Sequence, residues 1–204
     1  MRTVPFPIDA IGGLNSFAKT MLLCLFSAGL LSGCSVVSKD PSYRTPGVII
    51  DDTVLEPLVE REIRKSDEGY KGAHISVASH NGLVLIAGQV ANEELRENAT
   101  KVASKLRRVR KVHNELTIGG PISLVARTND SWLTTKVKSR LIASKHAQGA
   151  KVKVQTENSV VYLLGRVTRE QADAAVEVAS NIYGVQKIVK VFEYLEDVAA
   201  APAN

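Results

Sequence analysis

Trp132, Lys136 and Arg140 stand four residues apart in the stretch NDSWLTTKVKSRLIASK, residues 129–145. At about 100° per residue, that spacing places an indole, an ammonium and a guanidinium along one helical stripe. Ser139 and Ala143 border the stripe. Lys138 and Lys145 add two further cations, and Asp130, at the start, is the sole acid of the stretch. An indole favours a site with one wet end and one apolar end, and ammonium and guanidinium groups bind oxyanions. Anion binding at a boundary between water and oil is the chemistry these groups offer. Groups for bond making are not arranged so. His74, His80, His113 and His146 have no spacing that brings two onto one helix face, and His74 and His80, flanking a strand, read as solvent-facing. No metal-ligand spacing, nucleophile elbow or phosphate-binding glycine loop is present. Ser16 to Lys19 fits Ser-x-x-Lys but falls in the apolar leader. No catalytic set, cofactor or metal is therefore expected.

The second reactive position is Cys34. Arg2 and Lys19 precede the apolar run MLLCLFSAGLLSGC, shorter than the roughly 20 residues that span a bilayer, which predicts an export signal over 1–33 and not a transmembrane helix. The ending LLSGC resembles the lipobox of bacterial lipoproteins, whose cysteine is acylated, with palmitate-type chains, and begins the mature chain. An ordinary secretory signal with an incidental cysteine is the competing reading. Cleavage before Cys34 removes Cys24 and leaves no partner for an intrachain disulfide. Ser35, where an acidic residue would signal inner-membrane retention, implies by the same resemblance transfer to the outer membrane. Loss of Arg2, Lys19 and Asp9 lowers the formal charge from +5 to +4. An exported basic chain meets anionic lipid and not nucleic acid.

The elements that position these residues occur twice. DDTVLEPLVEREI at 51–63 matches NDSWLTTKVKSRL at 129–141, with Leu55, Val59 and Ile63 over Leu133, Val137 and Leu141. ISVASHNGLVLIAGQV matches VKVQTENSVVYLLGRV, setting Gly88 over Gly165, and KVASKLRRVRKVHNEL matches EVASNIYGVQKIVKVF. Each unit reads as helix, strand, strand, helix, strand. Asp52 and Asp130 are N-cap candidates for the first helices. Asn81-Gly82 suits a tight hairpin turn, and Asn158-Ser159 suits it less well. Small residues on the second helices, Ala99 and Ala103 or Ala175 and Ala179, allow close packing on a sheet. Gly88 and Gly165, inside strands, mark a bulge or a close helix approach and are structural. The predicted division is a signal over 1–33, a flexible tether over 34–47, a first unit over 48–119, a linker over 120–127, a second unit over 128–196 and a disordered tail over 197–204. The link is short enough that the units should touch.

The αββαβ order, the hairpin endings LIAGQV and LLGRV, and VASNIYGVQKI beyond them resemble the BON domain. Two such domains behind a lipobox, with GPISL and NDSWLTTKV in this context, are similar to the dual-BON outer-membrane lipoproteins. The resemblance implies an α+β fold of two tandem BON domains, each with two helices on a small mixed sheet. It implies a non-enzymatic lipoprotein on the periplasmic face of the outer membrane. Such a protein supports envelope integrity, is enriched at the division site and influences septal peptidoglycan remodelling. It further implies binding of anionic phospholipid, phosphatidylglycerol or cardiolipin, through the first helix of the second domain. The residues carried over are Trp132, Leu133, Lys136, Val137, Ser139, Arg140 and Ile142, with Leu133 and Val137 also on the stripe that faces the sheet.

The paired helices differ in charge far more than in apolar pattern. Residues 131–145 hold four basic groups and no acid, whereas residues 53–64 hold Glu56, Glu60 and Glu62 against Arg61 and Arg64. Taken alone, the residues leave two roles for Trp132: a cap on the edge of the core beside solvated lysines, or an interfacial anchor flanked by cations. The less charged first domain, with its exposed strand edges, suits a second kind of function, an adaptor docking on envelope assembly machinery, hydrolase regulators or cell-division proteins.

Overall fold

A computed structural model of the chain describes residues 45–120 and 123–195 of the 204. The leader, Cys34, nearly all of the expected tether and the tail lie outside the described residues. The first unit comprises α1 (Pro46–Ser66), β1 (His74–His80), β2 (Leu83–Val90), α2 (Glu93–Ser104) and β3 (Lys111–Ile118). The second comprises α3 (Leu124–Ala143), β4 (Val152–Glu157), β5 (Val160–Val167), α4 (Arg169–Ser180) and β6 (Lys187–Tyr194). In each, the hairpin pairs antiparallel and the last strand returns parallel to the second, so β2 and β5 are central. The parallel return is possible because α2 or α4 supplies the crossover.

One face of each sheet is covered by its own helices. Val84, Ile86 and Val90 of β2 pack with Leu55, Val59 and Ile63 of α1 and with Ala99 and Ala103 of α2. Val161, Leu163 and Val167 pack likewise with Leu133, Val137 and Leu141 of α3 and with Ala175 and Ala179 of α4. The alanines let each second helix approach the sheet closely, as their spacing predicts. The other faces meet each other: Ala78, Leu83, Leu85 and Ala87 join Tyr162, Leu164 and Val191 in a third cluster. The domains therefore stack sheet against sheet, with helices outside. Burial on both faces explains why β2 is buried at every position, where a one-sided hairpin would alternate.

Three expectations need correction. The N-caps are Thr45 and Ser123, whose side chains accept from Val48 N and Ala126 N. Asp52 and Asp130 lie inside α1 and α3, and their carboxylates clamp the hairpins instead. Asp52 accepts from Asn81 N at 2.6 Å and Gly82 N at 3.0 Å. Asp130 accepts from Asn158 N and Ser159 N, both at 2.8 Å. Those bonds hold Ser159 at φ 61, so the second turn forms the left-handed conformation despite lacking the glycine. Residues 124–127, expected in the linker, form the first turn of α3 because Ser123 caps them.

The histidines also differ from expectation. His80 is buried, and His74 Nε2 lies 3.0 Å from Glu157 Oε2 of the other domain. Gln89 Nε2 donates to Glu157 Oε1 at 3.2 Å, and Lys153 pairs with Glu56, so polar bonds edge the intersheet core. Gly88 and Gly165 do mark a close approach, but to the neighbouring strand and not a helix. A Cβ on Gly88 would sit 2.0 Å from the His74 carbonyl oxygen, and one on Gly165 would sit 2.8 Å from that of Lys151.

Candidate functional site

Leu133, Val137 and Leu141 have no exposed surface. Their spacing fixes the rotation of α3, because burying that stripe on β4 and β5 turns the neighbouring stripe to solvent. Leu133 and Val137 are accordingly removed from the candidate contact set: a side chain sealed in the core cannot touch a ligand. Leu133 has another use. Its Cδ2 lies 3.1 Å from where a Cβ on Gly184 would be, so the loop joining α4 to β6 rests on it.

The remaining expected residues lie on the outward side. Trp132 is 53% exposed, and Lys136 Nζ stands 4.4 Å from its ring centroid. Arg140, Lys138 and Lys145 are exposed, as is Ile142 at 61%. Ser139 is exposed too, and its hydroxyl donates to Thr135 O at 2.9 Å, an ordinary helix-surface bond. The early start of α3 adds Val125, 79% exposed. Seven residues before Trp132, it falls within about 20° of the same stripe. Sequence reasoning missed it because residues 124–127 read as linker.

Charge separates α3 from its counterpart. On α1, Glu60 pairs with Arg64, Glu62 with Arg61 and Lys65, and Asp51 with Arg108. Among the described residues, none of Lys136, Lys138, Arg140 and Lys145 pairs with a carboxylate within 4.0 Å. Two similar helices thus present a neutralised face and a cationic face with an aromatic centre.

A second missed residue lies beside it. Tyr183 is 90% exposed, raised on the loop that Gly184 turns at φ 100. In the repeat alignment it stands over Arg107, and that exchange of a cation for an aromatic ring was the available signal. No group of three or more His, Cys, Asp or Glu side chains is placed to hold a metal ion among the described residues. No described helix is long and apolar enough to cross a membrane.

Two αββαβ units, stacked by their sheets, form a tandem module whose first helices differ in surface charge. Both halves match the BON domain family, over residues 51–120 and 129–196, and the chain belongs to that family. It is 42% identical over 172 residues to the Haemophilus influenzae protein named Outer membrane lipoprotein DolP, covering 83% of this chain and 88% of that one. It is 39% identical over 153 residues to the 21 kDa hemolysin of Actinobacillus pleuropneumoniae, covering 75% and 79%. Osmotically-inducible protein Y of Escherichia coli is 25% identical over 187 residues, covering 84% and 92%.

Proposed function

We propose that the protein is a non-enzymatic outer-membrane lipoprotein, anchored through acylated Cys34, that presents α3 to an anionic phospholipid surface. The observation that carries this reading is the exposed Trp132 within a cationic face that has no carboxylate partners among the described residues. An indole at headgroup depth keeps its N–H wet and its ring in acyl chains. Each cation near an anionic surface contributes about 1 kcal/mol, so the four together contribute about 4 kcal/mol before ordering is subtracted. That is weak for a free protein. A tether of about 15 residues has a typical span of about 22 Å, and confinement near the bilayer makes a weak face largely occupied.

The acyl chains would hold the protein, and α3 would orient it or select regions rich in phosphatidylglycerol or cardiolipin. The name of the Haemophilus relative supports the outer-membrane setting. Support of envelope integrity, enrichment at the division site and influence on septal peptidoglycan remodelling belong to the same proposal. Co-sedimentation of a soluble form lacking residues 1–34 tests it. Binding to phosphatidylglycerol or cardiolipin vesicles should exceed binding to neutral ones and fall sharply on Trp132→Glu. Equal binding to both vesicle types, or no loss on Trp132→Glu, would overturn it.

A second reading, an adaptor for envelope assembly or cell-division proteins, has its own observation. Ile49, Ile50 and Val54 of α1 are 45%, 62% and 55% exposed. Partners captured in the absence of lipid, and lost on Ile50→Asp, would promote it.

A further inference from the structure

A polar pocket of about 340 Å³ opens at the junction of the two domains. His74 and Ser76 of β1 line it from the first domain, and Arg127 and Thr134 of α3 with Glu157 of β4 from the second. Arg127 and Thr134 fall about 140° and 160° around α3 from Trp132, so the pocket lies off the outward stripe. Arg127 stands out among these residues. Its Nε is buried without a hydrogen-bond partner, and among the described residues its guanidinium pairs with no carboxylate within 4.0 Å. An N–H donor shut away from water without an acceptor is unfavourable, and a ligand oxyanion is the natural acceptor for a guanidinium.

The repeat supplies an internal contrast. In the first domain Glu56 accepts from Ser79 N at 2.7 Å and pairs with Lys153 of the second domain. In the repeat alignment Thr134 and Ser76 take the positions of Glu56 and Lys153, and Arg127 takes that of Ile49. One site holds its own carboxylate, whereas the other has short hydroxyl side chains and a cation. A simple anion does not suit the second site, because Asp130 and Glu157 also line the pocket. Asp130 is engaged with the amides of Asn158 and Ser159. Glu157 meets His74 at one oxygen and Gln89 at the other, which leaves each oxygen a lone pair for a further donor. Gln155 Nε2 donates to Ser76 Oγ at 2.8 Å, so the Ser76 hydroxyl hydrogen is free to donate in turn.

We infer that this pocket binds the zwitterionic end of a small soluble amino acid. The ligand carboxylate sits on Arg127 and takes the Ser76 hydrogen, and its ammonium sits on Glu157, so the ligand bridges the domains. The volume is at the low end of the range of about 300–1,000 Å³ for small-ligand sites, which suits a single amino acid or a dipeptide. The inference is independent of the lipid-facing reading of α3.

The test is calorimetric titration and thermal unfolding of the full-length protein in neutral detergent micelles, at neutral pH and constant ionic strength. L-alanine is the probe, and propionate and ethylamine, each with one of its two charges, are the controls. Alanine should bind saturably at one per chain, and either control at least about tenfold more weakly. At ten times its Kd, alanine should raise the unfolding midpoint by about 4 °C. Arg127→Gln should weaken alanine binding at least about tenfold and leave the midpoint without alanine unchanged or higher, because the buried Nε has no partner to lose. Ser76→Ala should weaken binding about threefold, as a contact from the other domain. No saturable alanine binding, full affinity in Arg127→Gln or a lowered midpoint in that variant without alanine would overturn the inference. Propionate binding as tight as alanine would assign the pocket to a simple anion, and full affinity in Ser76→Ala would remove the bridge between domains; either result counts against it. Loss of phosphatidylglycerol vesicle binding in Arg127→Gln without alanine binding would give Arg127 to the lipid contact instead.

Discussion

The Lys136 ammonium stands 4.4 Å from the centroid of the Trp132 ring, one helical turn further along α3. The charge lies against the ring while the ring remains half in solvent. A cation–π pair of this kind is worth about 0.5–1 kcal/mol at an exposed site and more once water is removed. In the proposed lipid contact it would gain strength, and it holds the indole beside the cations of α3.

Replacing Trp132 should separate binding from stability. Because the ring is half exposed, Trp132→Ala should cost only about 1 kcal/mol of unfolding free energy, about the worth of its contact with Lys136. Its binding to anionic vesicles should nonetheless fall severalfold. Urea denaturation and vesicle co-sedimentation of the same sample check both halves.

Leu133 is expected to behave oppositely. With no exposed surface, Leu133→Ala should cost about 2–5 kcal/mol of stability. Any lipid defect should follow from unfolding or from release of the Tyr183 loop that rests on this side chain. Binding measured well below the unfolding midpoint, compared with Val137→Ala, discriminates between these causes.

Gly88 and Gly165 should not tolerate alanine equally. At Gly88 the added methyl would collide with the His74 carbonyl at 2.0 Å, in a backbone of φ 128 that side chains rarely adopt. Gly165 has the milder approach of 2.8 Å and no positive φ. Gly88→Ala should be the more destabilising by about 1 kcal/mol or more, read from thermal midpoints.

Asp52 gives the fold an acid-sensitive clamp. Burial pushes its carboxyl up, but hydrogen bonds from Gly82 N, Asn81 N and Ser79 Oγ, with the charge of His80, outweigh this and hold the pKa below 3.8. A carboxyl lowered on folding contributes stability above its unfolded value, and that contribution is lost as pH falls through the folded value. Wild-type stability should therefore fall as pH drops below about 4. Asp52→Asn should lose stability at neutral pH and show a flatter acid limb, measured as urea midpoints against pH.

Much of this architecture was legible in the residues. Alternation either side of Asn81-Gly82, alanines at helical spacing and the repeat itself specified two αββαβ units, because local pattern and burial agree there. What escaped reading depended on contacts distant in sequence. Asp52 and Asp130 have the residue type of a cap but serve hairpin turns about 29 residues away. His74 reads as solvent-facing until the second domain brings Glu157 to it. On α3 the rotation was legible from Leu133, Val137 and Leu141, so the outward stripe could be named. Tyr183 was not, since its place beside Arg140 depends on how the loop after α4 settles on Leu133.

Depth-resolved quenching of Trp132 by brominated acyl chains, in full-length protein anchored to vesicles, addresses the lipid-facing helix most directly. The chain has one tryptophan, so the signal comes from that side chain alone. With phosphatidylglycerol or cardiolipin present, quenching should be strongest for bromines near the headgroup and weaker towards the bilayer centre. In purely neutral vesicles it should be nearly absent. Equal quenching in both, or none in either, would contradict the assignment of α3 to anionic lipid.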